Sequence, residues 1–89
     1  MNIRIITYDL NKELNSDDYK GIITYIKQHN WARLSESSYA IETTKTPQLI
    51  YNDISKYLDD GDRVLILTLT TPYYGVHQKE VIDWLAAKL

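Results

Sequence analysis

Residues 63–70 constrain the fold of this chain more strongly than any other segment. Within them the run 64–67 reads Val-Leu-Ile-Leu, so a β-strand formed here places apolar side chains on both of its faces. A strand of this kind needs cover on both sides of its sheet. The pattern therefore predicts helices, or a second subunit, against each face.

Three other segments alternate apolar and polar residues, as half-buried strands do. In residues 2–10, Ile3 and Ile5 share one face with Asp9 at the end of the strand. Residues 31–34 and 37–43 predict two short strands joined by a tight turn near Ser35-Glu36.

Three segments repeat apolar residues at helical spacing, and they cover residues 16–29, 46–58 and 77–89. Ser16 or Asp17 can cap the first helix. Thr46-Pro47 predicts the start of the second, because a capping hydroxyl precedes a proline whose missing N–H costs nothing there. Gly61, in the acidic turn 59–62, suits the left-handed conformation that ends a helix.

The predicted order is βαββαβ with an additional C-terminal helix, which indicates an α+β, ferredoxin-like domain over residues 1–89. Eighty-nine residues are enough for one modest core and too few for two. Two helices of this topology cover one sheet face. Cover for the other face comes from the last helix or from a second copy, and we expect a homodimer.

Composition excludes several classes of site. The chain has no Cys, so disulfides, thiolate nucleophiles and cysteine metal sites are absent. Its three glycines are scattered and form no phosphate-binding loop. The net charge of −2 does not favour tight binding of nucleic acid through phosphates.

The apolar segments are too short to span a membrane, and Asp9 interrupts the N-terminus too early for a signal-peptide core. We therefore expect a cytoplasmic protein with no membrane partner.

Asp9 is the most informative polar residue. It closes a strand face whose other residues are apolar or Thr, and a carboxylate at such a sheet edge could bind Mg²⁺ or Mn²⁺. In a symmetric dimer two copies of Asp9 could face each other and supply a pair of carboxylates. The alternative is that Asp9 caps the turn at Leu10-Asn11 through a side-chain hydrogen bond, which is a common role of aspartate.

Three motifs carry a resemblance to a known family. Ile5-Ile6-Thr7-Tyr8-Asp9-Leu10 resembles the opening strand of the small CRISPR-associated ferredoxin-fold proteins, the dimeric subunit of the spacer-acquisition complex, and of the related virulence-associated protein D toxins. Residues 34–41 are similar to the second hairpin strand of that family, and residues 59–67 to its acidic turn and fourth strand. The uncharacterised SinR-like subgroup, with a tryptophan in its C-terminal helix like Trp84, is the most similar.

The resemblance implies a ferredoxin-like homodimer in which Asp9 matches the metal-binding aspartate. Some members are proposed to cleave RNA or DNA with a metal ion, and others act as structural dimers. This chain departs from the CRISPR proteins in three ways. Its first helix has Lys20 and Lys27 in place of an arginine-rich start, its last element is a helix instead of a strand, and its net charge is acidic.

Two functions follow as hypotheses. The favoured one is a non-catalytic dimeric module with a binding or assembly role. The alternative is a metal-dependent endonuclease that uses Asp9 from each subunit with Mg²⁺ or Mn²⁺, while the cations Arg4, Lys12 and Arg33 position the nucleic acid.

Overall fold

The computed structural model describes residues 1–89. Its helices and strands follow the chain as β1 (Asn2–Asp9), α1 (Asp17–Lys27), β2 (Asn30–Ser35), β3 (Ser38–Thr43), α2 (Pro47–Ile54), β4 (Arg63–Leu69) and α3 (Lys79–Lys88). A short 3-10 turn, Ser55–Tyr57, extends α2. The α+β class expected from the sequence is confirmed.

The strands form one four-stranded sheet in the order β2-β3-β1-β4, and every neighbouring pair is antiparallel. β1 is therefore central, with β3 on one side and β4 on the other. Ile6 stands opposite Tyr39 in β3 and Ile66 in β4, which places these three side chains on the same face of the sheet. β2 and β4 are the two edge strands.

The first face of the sheet, called the helix face here, carries the main core. Helices α1 and α2 contribute Ile22, Ile26, Ile50 and Ile54, and the sheet contributes Ile6, Tyr8, Tyr39 and Ile41. All of these side chains are buried. Each helix places its apolar residues at helical spacing, so a single stripe faces the sheet and the polar residues face solvent.

Helix α3 packs against the opposite face, called the second face here, on the side of β2. Val81 and Leu85 are buried there, while the indole Nε1 of Trp84 donates to Asn30 Oδ1 at 3.0 Å. Near the end of the helix, Lys88 forms an ion pair with Glu42 of β3. α3 thus covers the β2–β3 half of this face, and it leaves β4 without a helix on that side.

The predicted caps are confirmed. Ser16 Oγ accepts a hydrogen bond from the backbone N–H of Tyr19, and Thr46 Oγ1 accepts one from that of Leu49, both at 3.2 Å. Each bond satisfies a backbone donor that the first turn of a helix leaves without a partner. Gly61 has the predicted positive φ, 89°, but it does not end the helix: α2 and its 3-10 extension end at Tyr57, and Gly61 lies in the turn before β4.

Several predicted boundaries are wrong by one or two residues, among them those of the hairpin turn and of α3. The hairpin turn lies at Glu36-Ser37, one residue later than expected, where the hydroxyl groups of Ser35 and Ser38 are 2.6 Å apart across its base. Helix α3 begins at Lys79 instead of His77, because the His77 ring contacts the carbonyl oxygen of Leu34 at 2.7 Å and holds the chain outside the helix. No helix is long and apolar enough to cross a membrane.

Candidate functional site

Asp9 is the last residue of β1, and its side chain is exposed on the second face. It stands opposite Arg63, the first residue of β4. The two residues line a shallow depression of about 230 Å³ together with Thr7 and Leu65. Asp9 forms no ion pair, with Arg63 or any other cation.

The surroundings of Asp9 do not fit a metal centre within one chain. Mg²⁺ in proteins is held by one or two carboxylates together with water or substrate oxygens, and a hydrolytic centre needs the ion fixed in place. No group of three acidic or histidine side chains that could hold a metal ion occurs anywhere in the chain. Asp9 therefore offers a single carboxylate, and a metal site there needs ligands from another molecule.

The turn after β1 is stabilised by Asp62 and not by Asp9, which the sequence offered as its cap. Asp62 Oδ1 accepts a hydrogen bond from the backbone N–H of Asn11 at 2.7 Å, and its Oδ2 accepts one from that of Asp59 at 2.8 Å. Lys12 forms ion pairs with both Asp62 and Asp59. The Lys12 ammonium group and these backbone N–H groups lower the pKa of Asp62 to about 2.

The three cations proposed to position nucleic acid lie in three different environments. Arg4 is 7 % exposed, and its guanidinium donates to the carbonyl oxygen of Lys45 and to the hydroxyl of Thr68. Lys12 is engaged in the ion pairs just described. Arg33 is exposed on β2, where its Nε donates to the carbonyl oxygen of Ser35. They do not form one basic surface.

The outer edge of β4 exposes large apolar side chains within a regular strand. Leu65 and Leu67 are 58 % and 41 % exposed, although they lie in the middle of a strand. Both project from the second face, opposite Thr7 and Ile5 of β1. We call Leu65, Leu67 and the outer backbone edge of β4 the β4 surface.

Edge strands usually carry features that prevent another strand from pairing with them, such as charges, prolines or bulges. β4 has none of these after Arg63, since the rest of the strand is apolar or Thr and its pairing with β1 is regular. The other edge, β2, is protected. It has a register shift between Arg33 and Ser35, and α3 packs against it.

The sequence indicated that β4 needs cover on both faces, but it could not show which strand α3 would cover. That choice depends on the path of residues 70–78, which lead from the end of β4 to the opposite edge of the sheet. The role of Asp62 was also missed. Three acidic residues close together in sequence indicate a turn, and nothing in the pattern says which one binds Asn11.

No family model, curated protein or solved structure matches this chain.

Proposed function

We propose that this protein is a ferredoxin-like module that forms a homodimer through the β4 surface, and that its role is assembly instead of catalysis. The main support for the proposal is that β4 is an unprotected edge strand with Leu65 and Leu67 exposed at its centre. The strand order β2-β3-β1-β4, with α1 and α2 on one face, supports the ferredoxin-like topology.

The sequence of β4 is self-complementary, which favours a second copy as the partner. A two-fold axis beside Ile66 aligns the two strands antiparallel, so that Leu65 of each copy stands opposite Leu67 of the other. On the helix face, Ile66 then stands opposite its own copy and Val64 opposite Thr68. No like charges oppose each other, and the two sheets become one continuous sheet.

The expected strength of this dimer follows from the exposed leucines and the unpaired backbone. Fully burying a leucine is worth roughly 1.5–3 kcal/mol, so the 58 % and 41 % exposed fractions correspond to about 1 kcal/mol for each side chain. Backbone hydrogen bonds along the paired strands add about 1 kcal/mol each. Association costs roughly 4–15 kcal/mol, so the dissociation constant is at best in the micromolar range.

This dimer separates the two copies of Asp9. Neighbouring strands lie about 4.8 Å apart and each residue advances the chain by about 3.4 Å. Asp9 is aligned with Arg63, three residues from Ile66 and one strand inside the edge. The two carboxylates are then roughly 25 Å apart, whereas paired catalytic metal ions lie about 4 Å apart.

That separation supports the assembly role over the endonuclease with a shared aspartate pair. The cations support the same choice, because Arg4 and Lys12 are engaged within the fold and the net charge is −2. A protein that uses phosphate contacts for affinity needs several accessible cations on one surface.

The test is sedimentation velocity over a range of protein concentrations, with Leu65→Lys as the disrupting variant. Leu49→Lys is the matched control, because Leu49 is 51 % exposed and belongs to α2, not to β4. We expect a concentration-dependent dimer for the wild type and for Leu49→Lys, and a monomer for Leu65→Lys with an unchanged circular dichroism spectrum. A wild type that stays monomeric, or a Leu65→Lys protein that stays dimeric, contradicts the proposal.

A further inference from the structure

The helix face contains a cleft that the proposed dimer does not use. Its volume is about 380 Å³, and it lies between the first half of α1 and the tip of the β2–β3 hairpin. Cavities of about 300–1,000 Å³ are typical of small-molecule sites. The β4 surface lies at the opposite edge of the sheet, so the two surfaces are independent.

Three tyrosines form the floor and wall of this cleft, and they are Tyr8, Tyr19 and Tyr39. The rings of Tyr8 and Tyr19 are in edge-to-face contact, with centroids 5.9 Å apart. Tyr39 is only 4 % exposed, yet it lines the cleft. Aromatic walls of this kind stack against planar rings.

The hydroxyl groups of these tyrosines indicate a role beyond packing of the core. The chain has eight Tyr and no Phe. The Tyr8 hydroxyl donates only a long hydrogen bond, 3.4 Å, to the carbonyl oxygen of Glu36. Tyr39 makes no side-chain hydrogen bond. Because every buried side-chain oxygen in the chain has a partner, the Tyr39 hydroxyl is in contact with solvent. Burial, and then the neighbouring Tyr19 hydroxyl, raise the pKa of Tyr8 above its ordinary value.

Two cations stand at the rim of the cleft without ion-pair partners. Lys20 and Arg33 both line it, and neither forms a salt bridge. Arg33 lies over the ring of Tyr39, with its guanidinium carbon 5.8 Å from the centroid, while its Nε is bonded to Ser35. Its two terminal nitrogens make no hydrogen bond within the chain and are available to an anion. Glu36 is the single acidic residue of the lining, so the rim is net positive.

From these features we infer that the cleft binds a planar aromatic anion about the size of a nucleoside monophosphate. The ring of the ligand packs against Tyr19 and the small accessible parts of Tyr8 and Tyr39, and its anionic group is bound by Arg33 and Lys20. Aliphatic contacts from Ile23 and Leu14 complete the wall. Because this site lies on the helix face, ligand binding there does not require dimer formation.

The probes are adenosine 5′-monophosphate, which carries an aromatic base and a phosphate, and benzoate, which carries an aromatic ring and a carboxylate. Titrations followed by ¹H–¹⁵N correlation spectra report the affinity and the residues affected. We expect saturable shifts at α1 and the β2–β3 hairpin. Saturation by adenosine 5′-monophosphate alone identifies a phosphate ligand, and saturation by benzoate identifies a carboxylate. Adenosine and inorganic phosphate given separately should bind at least tenfold more weakly than the intact nucleotide.

Charge variants distinguish a specific binding site from general attraction of anions to the protein surface. Arg33→Ala and Lys20→Ala should each weaken binding about tenfold, the ratio expected for one lost charge-assisted hydrogen bond. Lys56→Ala is the matched control, because Lys56 is an exposed cation without an ion pair and lies outside this cleft. Its affinity should stay within about twofold of the wild type.

Two results overturn the inference. One is the absence of saturable shifts with either probe at millimolar concentration. The other is equal weakening by Arg33→Ala and Lys56→Ala, which indicates nonspecific charge attraction. The monomeric Leu65→Lys variant should bind the probe as well as the wild type does, so failure of the dimer proposal leaves this test unaffected.

Discussion

Gly21 lies in α1 directly against the ring of Tyr57, which follows α2. A Cβ atom added at Gly21 would lie 2.4 Å from Cε1 of Tyr57 and 2.7 Å from Cδ1 and Cζ. Ordinary contacts between such atoms begin near 3.4 Å, so the ring would have to move by about 1 Å. Gly21→Ala therefore tests how closely α1 and the end of α2 are packed.

Two opposing effects determine the size of the change. In a helix interior alanine is normally more favourable than glycine by about 1 kcal/mol. Forcing an extra methyl group into a packed contact costs roughly 1–3 kcal/mol. We expect Gly21→Ala to lower the free energy of unfolding by about 0–2 kcal/mol in the wild-type background.

A double-mutant cycle with Tyr57→Ala isolates the contact. Once the ring is removed, alanine at position 21 should raise the free energy of unfolding by about 0.5–1 kcal/mol, because only its helix propensity remains. The coupling energy between the two sites should then be about 1–3 kcal/mol.

The measurement is urea unfolding of the four proteins of the cycle at 25 °C. Gly75→Ala serves as a control, since no atom lies within 4 Å of its added Cβ, and it should be neutral or slightly stabilising. Equal stabilisation of the wild type and of the Tyr57→Ala protein by Gly21→Ala would contradict a close contact between Gly21 and Tyr57.

Three further predictions concern the polar residues described above. If the role is assembly, labelled RNA and DNA incubated with Mg²⁺ or Mn²⁺ should stay intact with both the wild type and Asp9→Asn; cleavage by the wild type alone would establish the endonuclease. The lowered pKa of Asp62 contributes stability above about pH 4 that is lost as the pH falls toward 2, so thermal melting of Asp62→Asn should depend less on pH over this interval. If the melting temperature of Asp62→Asn depends on pH as strongly as that of the wild type, the Lys12–Asp62 interaction does not stabilise the fold. Thr46→Ala should cost about 1 kcal/mol in urea unfolding, because the N–H of Leu49 loses its cap, while Thr44→Ala should cost far less.

Much of the fold could be predicted from local pattern. The alternation in β1 and the cap and proline at Thr46-Pro47 each act over a few residues, and the structure places both as expected; Gly61 has the expected positive φ, although it lies beyond the end of the helix. Helix boundaries were less accurate. His77 lies outside α3 because of a contact with Leu34, a residue 43 positions away in sequence.

The candidate surfaces were harder to predict, because each depends on which elements meet. The apolar run in β4 indicated a need for cover, but only the fold shows that α3 packs on the β2 side and leaves Leu65 and Leu67 exposed. The tyrosine-lined cleft brings residue 8 together with residues 19 and 39. Arg4 looked like a surface cation in sequence, and it is buried because its strand is central.

In the proposed dimer β4 pairs with its own copy in one register, and cysteine cross-linking tests that register directly. The chain has no Cys, so single substitutions report single positions. In the proposed pairing, residue 65 faces residue 67 of the other copy, within the separation that a disulfide spans, while residue 65 is farther from its own copy.

We therefore expect a mixture of Leu65→Cys and Leu67→Cys proteins to form covalent heterodimers rapidly under mild oxidation. Each variant alone should form far fewer homodimers, as should the exposed control Leu49→Cys. Equal cross-linking of all three variants, or none in the mixture, would contradict the proposed β4 dimer.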